Sequence, residues 1–77
     1  MKHVITIYDE SGKSIYTKAS DDEQGKLLGE VKSILSDKQF CDNIRNVLKS
    51  PTVRVVLETQ CEACQRFEPV MDFIEFV

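Results

Sequence analysis

Four side chains in this 77-residue chain have the softness to bind a metal or carry redox chemistry: His3, Cys41, Cys61 and Cys64. Two of them form a Cys-x-x-Cys pair within "VVLETQCEACQRFEPVMDFIEFV", residues 55–77. Two thiols at this spacing support three chemistries. One thiolate can attack a disulfide while the second resolves the mixed disulfide. The pair can also be half of a tetrahedral zinc site. His3 and Cys41 would then complete a Cys3His set, or a second copy of the loop would share the ion across a dimer. In the third reading cysteine is a small apolar side chain, and the pair flanks a turn. Cys41, on an apolar helical stripe, is then simply core.

The elements that must position these residues are legible in part. "HVITIY" at 3–8 is β-branched and aromatic, "DESGK" is turn chemistry, and "SIYTK" alternates again, which predicts a β-hairpin over the first eighteen residues. Tyr8 and Tyr16 meet across this hairpin and offer an aromatic contact surface. "SDDE" at 20–23 reads as a capping box, followed by Leu27, Leu28, Val31, Ile34 and Leu35 at helical spacing. Gly25 and Gly29 in this helix suggest close approach of another element. "SDKQ" at 36–39 reads as a second box, and Phe40, Cys41, Ile44, Val47 and Leu48 as a second helical stripe ended by "KSP" at 49–51. "TVRVVLET" is a strand with Val53, Val55 and Leu57 on one face and Arg54, Val56 and Glu58 on the other. Residues 66–77 satisfy both patterns. Phe67, Val70, Met71 and Ile74 make a helical stripe, while "FIEFV" has strand composition.

Over Val55–Ile74 the chain resembles the active-site segment of the thioredoxin family. A strand leads into Cys-x-x-Cys, Pro69 follows five residues after Cys64, and Phe67, Val70, Met71 and Ile74 fit the apolar pattern. The resemblance implies a helix starting at the cysteines, with Cys61 as nucleophile and Cys64 as resolving thiol. It covers about a quarter of the chain. Only thirteen residues follow Cys64, and Gln60 stands where the family commonly has an aromatic.

Composition bounds the function. With 42% hydrophobic and 30% charged residues the chain is globular, a single small domain over 1–77. The net charge is −3 and no basic stripe exists, so nucleic acid is not an expected partner. No apolar run approaches a membrane span, and "MKHVITIYDE" turns polar too soon for a secretory signal. Three cysteines without secretory context suit a reducing cytoplasm. The acidic charge is concentrated late. Glu58, Glu62, Glu68, Asp72 and Glu75 face Arg66 alone, a net −4 that leaves residues 1–57 at +1.

The resulting expectation is an α+β domain: β-hairpin, two helices, a strand, then a fourth strand or short helix. Its sheet is mainly antiparallel, with the helices on one face. The expected function is non-enzymatic: a protein-binding or regulatory module of the inhibitor or adaptor kind that many phages encode. It would act on another protein or a second copy of itself through Phe73, Phe76, Val77, Tyr8 and Tyr16. The catalytic alternative is thiol–disulfide exchange at Cys61 and Cys64, and the third reading is a structural zinc protein.

Overall fold

The computed structural model describes residues 2–21 and 24–77. Two strands open the chain, β1 (His3–Tyr8) and β2 (Ser14–Ser20). Two helices follow, α1 (Gln24–Leu35) and α2 (Lys38–Asn46), and two strands close it, β3 (Thr52–Gln60) and β4 (Phe67–Phe76). The strands form one sheet in the order β2-β1-β3-β4, with every neighbour antiparallel. The expected α+β architecture is therefore present. Its undecided last element is a strand.

The first turn is held by one carboxylate. Asp9 Oδ1 accepts hydrogen bonds from the Ser11 amide at 2.9 Å, the Ser11 hydroxyl at 2.6 Å and the Lys13 amide at 3.0 Å. Gly12 supplies the positive φ of 86° that the chain reversal requires. These bonds hold the Asp9 carboxyl below the usual carboxylate range, the Ser11 hydroxyl being the largest cause.

The core lies between the helices and one face of the sheet. Ile5 and Ile7 of β1 and Val53, Val55 and Leu57 of β3 meet Leu27 and Val31 of α1 and Ile44 of α2. Burying each such side chain is worth about 1.5–3 kcal/mol. The alternation expected for β3 holds, and Val56, on the face away from the helices, is covered to 8% exposure.

Four local expectations are corrected. The N-cap of α2 is Asp37, not Ser36. Its Oδ1 accepts from the Gln39 amide at 2.9 Å and the Phe40 amide at 3.2 Å, and Asp37 has the extended φ/ψ of a cap. Ser36 instead closes α1, its hydroxyl donating to the Lys32 carbonyl. Second, α2 ends at Asn46 rather than running to the proline. Lys49 takes a left-handed φ of 56°, and the Ser50 amide returns to the Ile44 carbonyl. Val47 and Leu48 thus fall outside the buried stripe and are exposed. Third, among the described residues no atom of another element lies within 4 Å of a Cβ placed on Gly25 or Gly29, so neither glycine serves a close approach there. Fourth, Tyr8 and Tyr16 do not share a surface. Tyr16 pairs with Ile7 and packs on the core, whereas Tyr8 lies on the opposite face. The capping box at 20–23 lies outside the described residues.

Candidate functional site

Two features stand out at the β3–β4 hairpin: the cysteine loop that joins the strands, and the strand β4 that leaves it.

The loop is a compact reversal. The Cys61 amide donates to the Arg66 carbonyl at 2.7 Å, and the Gln65 amide to the Cys61 carbonyl at 2.9 Å. Gln65 absorbs the turn with φ of 60°. Its side chain donates to the Glu62 carbonyl and accepts from the Gln60 amide nitrogen. Cys61 is half-buried, Cys64 is exposed, and the two residues approach to 3.2 Å without a disulfide. The Cys61 thiol is held below its ordinary value. The Cys64 backbone amide is the largest cause, followed by the Cys64 thiol and the Ala63 amide; burial and the nearby Glu68 oppose the shift. The thiolate-stabilising donors are thus loop amides. After the loop the chain continues as β4, and Pro69 sits within that strand beside a bulge.

The other two soft ligands stand elsewhere. His3 is on β1, its Nδ1 sharing a 2.8 Å hydrogen bond with the Thr59 hydroxyl. Cys41 is buried in α2 and its thiol donates to the Leu35 carbonyl at 3.0 Å. Among the described residues no group of three or more His, Cys, Asp or Glu side chains is placed to hold a metal ion. The Cys3His convergence does not occur within one chain.

β4 is ten residues long and forms one outer edge of the sheet. Its register with β3 sets Phe73 opposite Val55, Met71 opposite Leu57 and Ile74 opposite Arg54. Phe73 therefore points to the helix side, where it packs half-buried on the core, and Val77 does the same. Phe76 is 84% exposed and Ile74 67%, with Val70, Met71 and Phe67 exposed between 40% and 48%. Of the residues expected at an interface, Phe76 is the fully open one, and Tyr8 is half-buried on the face shared with Ile74. Ile74 enlarges that face, Met71 is exposed on the helix side with Phe73, and Val70 and Phe67 are exposed nearer the cysteine loop. Their signal was in the sequence as an apolar stripe, but it could not be assigned to a face while helix and strand both fitted.

On the outer face the Arg54 guanidinium grips the Asp72 carboxylate with two nitrogens, Nε at 2.7 Å from Oδ1. Each holds the other charged: the Asp72 carboxyl is pushed down and the Arg54 guanidinium up. No described helix is long and apolar enough to cross a membrane. No family model matches the chain, and neither does any curated protein or solved structure.

Proposed function

We propose that this protein is a small non-enzymatic protein-binding or regulatory module that acts through β4. The observation that carries the reading is the combination on one strand of an unpaired sheet edge and five exposed large apolar side chains. An edge strand offers a row of free N–H and C=O groups to any extended chain that comes alongside. Main-chain pairing supplies affinity and the alternating side chains supply selectivity. Three free thiols suit a reducing compartment, the cytoplasm.

A photocrosslinking side chain tests this. With benzophenone in place of Phe76, covalent protein adducts are expected in cells. With the same group in place of Val47, which is 72% exposed at the C-cap of α2 and not on β4, they are not. Equal labelling at both positions, or none at Phe76, overturns the reading.

A second reading, thiol–disulfide exchange, is supported by the close approach of Cys61 and Cys64 and the lowered Cys61 thiol. Insulin reduction that turns over, and is abolished by Cys61→Ser, favours it over the binding module. An inactive wild-type chain removes it.

A further inference from the structure

We infer that the β4 edge takes an extended segment of another protein, apolar along most of its length and carrying a basic residue opposite Glu75; this rests on the binding reading above.

The stretch that can pair is short. The Val77 amide donates to the Pro51 carbonyl, so Val77, Glu75 and Phe73 turn their backbone groups toward β3. Asp72, Ile74 and Phe76 then turn theirs to the open edge. Toward the cysteine loop a bulge sets Val70 outside the ladder, and Pro69 has no N–H to offer. The regular row of N–H and C=O groups on this edge is therefore Asp72–Phe76. An extended chain can pair with such a row, whereas a helix has bonded its own backbone groups already.

A groove accompanies the edge. It holds about 450 Å³ and is lined by Leu28, Val31 and Leu35 of α1 and by Phe73 and Phe76 of β4. Leu28, Leu35 and Phe73 pack on the core yet stay only half-buried. A strand laid beside β4 places every second side chain on the helix side. The side chain opposite Phe73 lies beside this groove, and an apolar one there covers the three half-buried residues. On the outer face the neighbours are Ile74 and Phe76, 67% and 84% exposed, which again favour apolar side chains. Main-chain pairing at an edge with side chains in a flanking groove is how extended peptides are recognised by strand addition.

Charge sets the remaining position and separates this partner from a second copy. Arg54 already holds Asp72. Glu75 lies opposite Val53, hence on the helix side, and lines the groove. Among the described residues it has no ion pair; Lys32 of α1 lines the same groove but makes no salt bridge with it. A basic side chain opposite Glu75 is therefore favoured and an acidic one opposed. β4 carries Glu68, Asp72 and Glu75 and no basic residue, so a second β4 cannot supply it.

Amide hydrogen exchange followed by NMR tests the inference with two probes. Both are short acetylated peptides of valine and threonine, one with a central lysine and the other with glutamate in its place. The lysine peptide is expected to slow exchange at the Asp72, Ile74 and Phe76 amides and to leave those of Phe73 and Glu75, which face β3, unchanged. The glutamate peptide is expected to bind more weakly. Glu75→Gln, at an exposed site that leaves the fold intact by circular dichroism, is expected to weaken the lysine peptide by up to about 5-fold, the range of an exposed ion pair. Equal protection by the two peptides, or a lysine peptide indifferent to Glu75→Gln, overturns the basic residue and leaves the binding reading standing. Protection that grows with protein concentration and no peptide overturns it in favour of a second copy. No protection by either peptide overturns strand pairing at this edge; the photocrosslink at Phe76 then decides separately whether the binding reading survives.

Discussion

Both outer strands of the sheet belong to hairpins, yet the two hairpins treat their edges differently. β2 reads SIYTKAS: short, polar and anchored over the helix side by Lys18, whose ammonium meets Glu30 of α1 at 2.7 Å. Its turn is tied by the Asp9 carboxylate. β4 is longer, has no lysine, exposes Val70, Met71, Ile74 and Phe76, and leaves a loop with two reduced thiols. Natural edge strands are commonly shortened or charged to prevent pairing. β2 follows that rule by being short and mostly polar; β4 carries three acids and Pro69 yet still exposes five large apolar side chains. The contrast teaches that the apolar surface of β4 is not a by-product of small size, because the same sheet protects its other edge.

The largest expected effect separates what β3 does from what β4 does. Leu57 is fully buried and Ile74 is 67% exposed. Leu57→Ala is expected to cost about 2–5 kcal/mol of stability. Ile74→Ala is expected to change stability by no more than about 0.5 kcal/mol. Urea unfolding of dilute protein measures both. Comparable losses would mean that β4 is part of the folding core and not a surface held ready.

Next comes the turn of the protected hairpin. The Asp9 carboxyl lies below its usual range when folded, so its contribution to stability is fully present above the ordinary carboxylate range. It is lost as pH falls through the depressed folded value. Asp9→Asn is expected to lower the melting temperature at neutral pH, with the gap to wild type closing as the solution is acidified. A gap that is constant down to strongly acid pH would show that the loss comes from changed geometry and not from the ionised acceptor.

A smaller effect tests the other loop by chemistry alone. Its amides favour the Cys61 thiolate, Cys64 is exposed, and Cys41 is buried. Alkylation of the native protein should therefore modify Cys61 fastest, remain measurable at lower pH than for an ordinary thiol, and spare Cys41. Cys64→Ala removes the thiol donor but keeps the backbone amide, the larger cause, so it is expected to raise the Cys61 value only part of the way back.

How far the sequence foretold this arrangement depended on whether one period dominated each segment. "HVITIY" and "TVRVVLET" have only the strand period, and both strands lie where the residues placed them. The tail fits both periods, because Phe67, Val70, Met71 and Ile74 are spaced for a helix while β-branched and aromatic types alternate. Pairing with β3 decided it, and pairing is a tertiary event invisible to local pattern. The same limit applies to Tyr8 and Tyr16. Their facing depends on the register that sets Tyr16 opposite Ile7, because Tyr8 is the next residue along β1 and so points to the other face. Asp37 against Ser36 was a choice between adjacent capping residues that only the helix start resolves. The cysteine loop was legible as a motif. Its setting between two strands was not, since the residues after Cys64 left helix and strand equally open.

The smallest expected effect compares the two exposed ion pairs, Lys18 with Glu30 on the β2 side and Arg54 with Asp72 on the β4 side. Exposed pairs contribute little to stability and are screened by salt. Lys18→Met and Arg54→Met should therefore shift the melting temperature only slightly, with either shift fading in high salt. The two are expected to differ in degree, because Arg54 grips Asp72 with two nitrogens and Lys18 meets Glu30 with one. Arg54→Met is therefore expected to give the larger shift and to keep more of it as salt is added. Equal responses from the two variants would show that the two-nitrogen grip adds nothing at an exposed site.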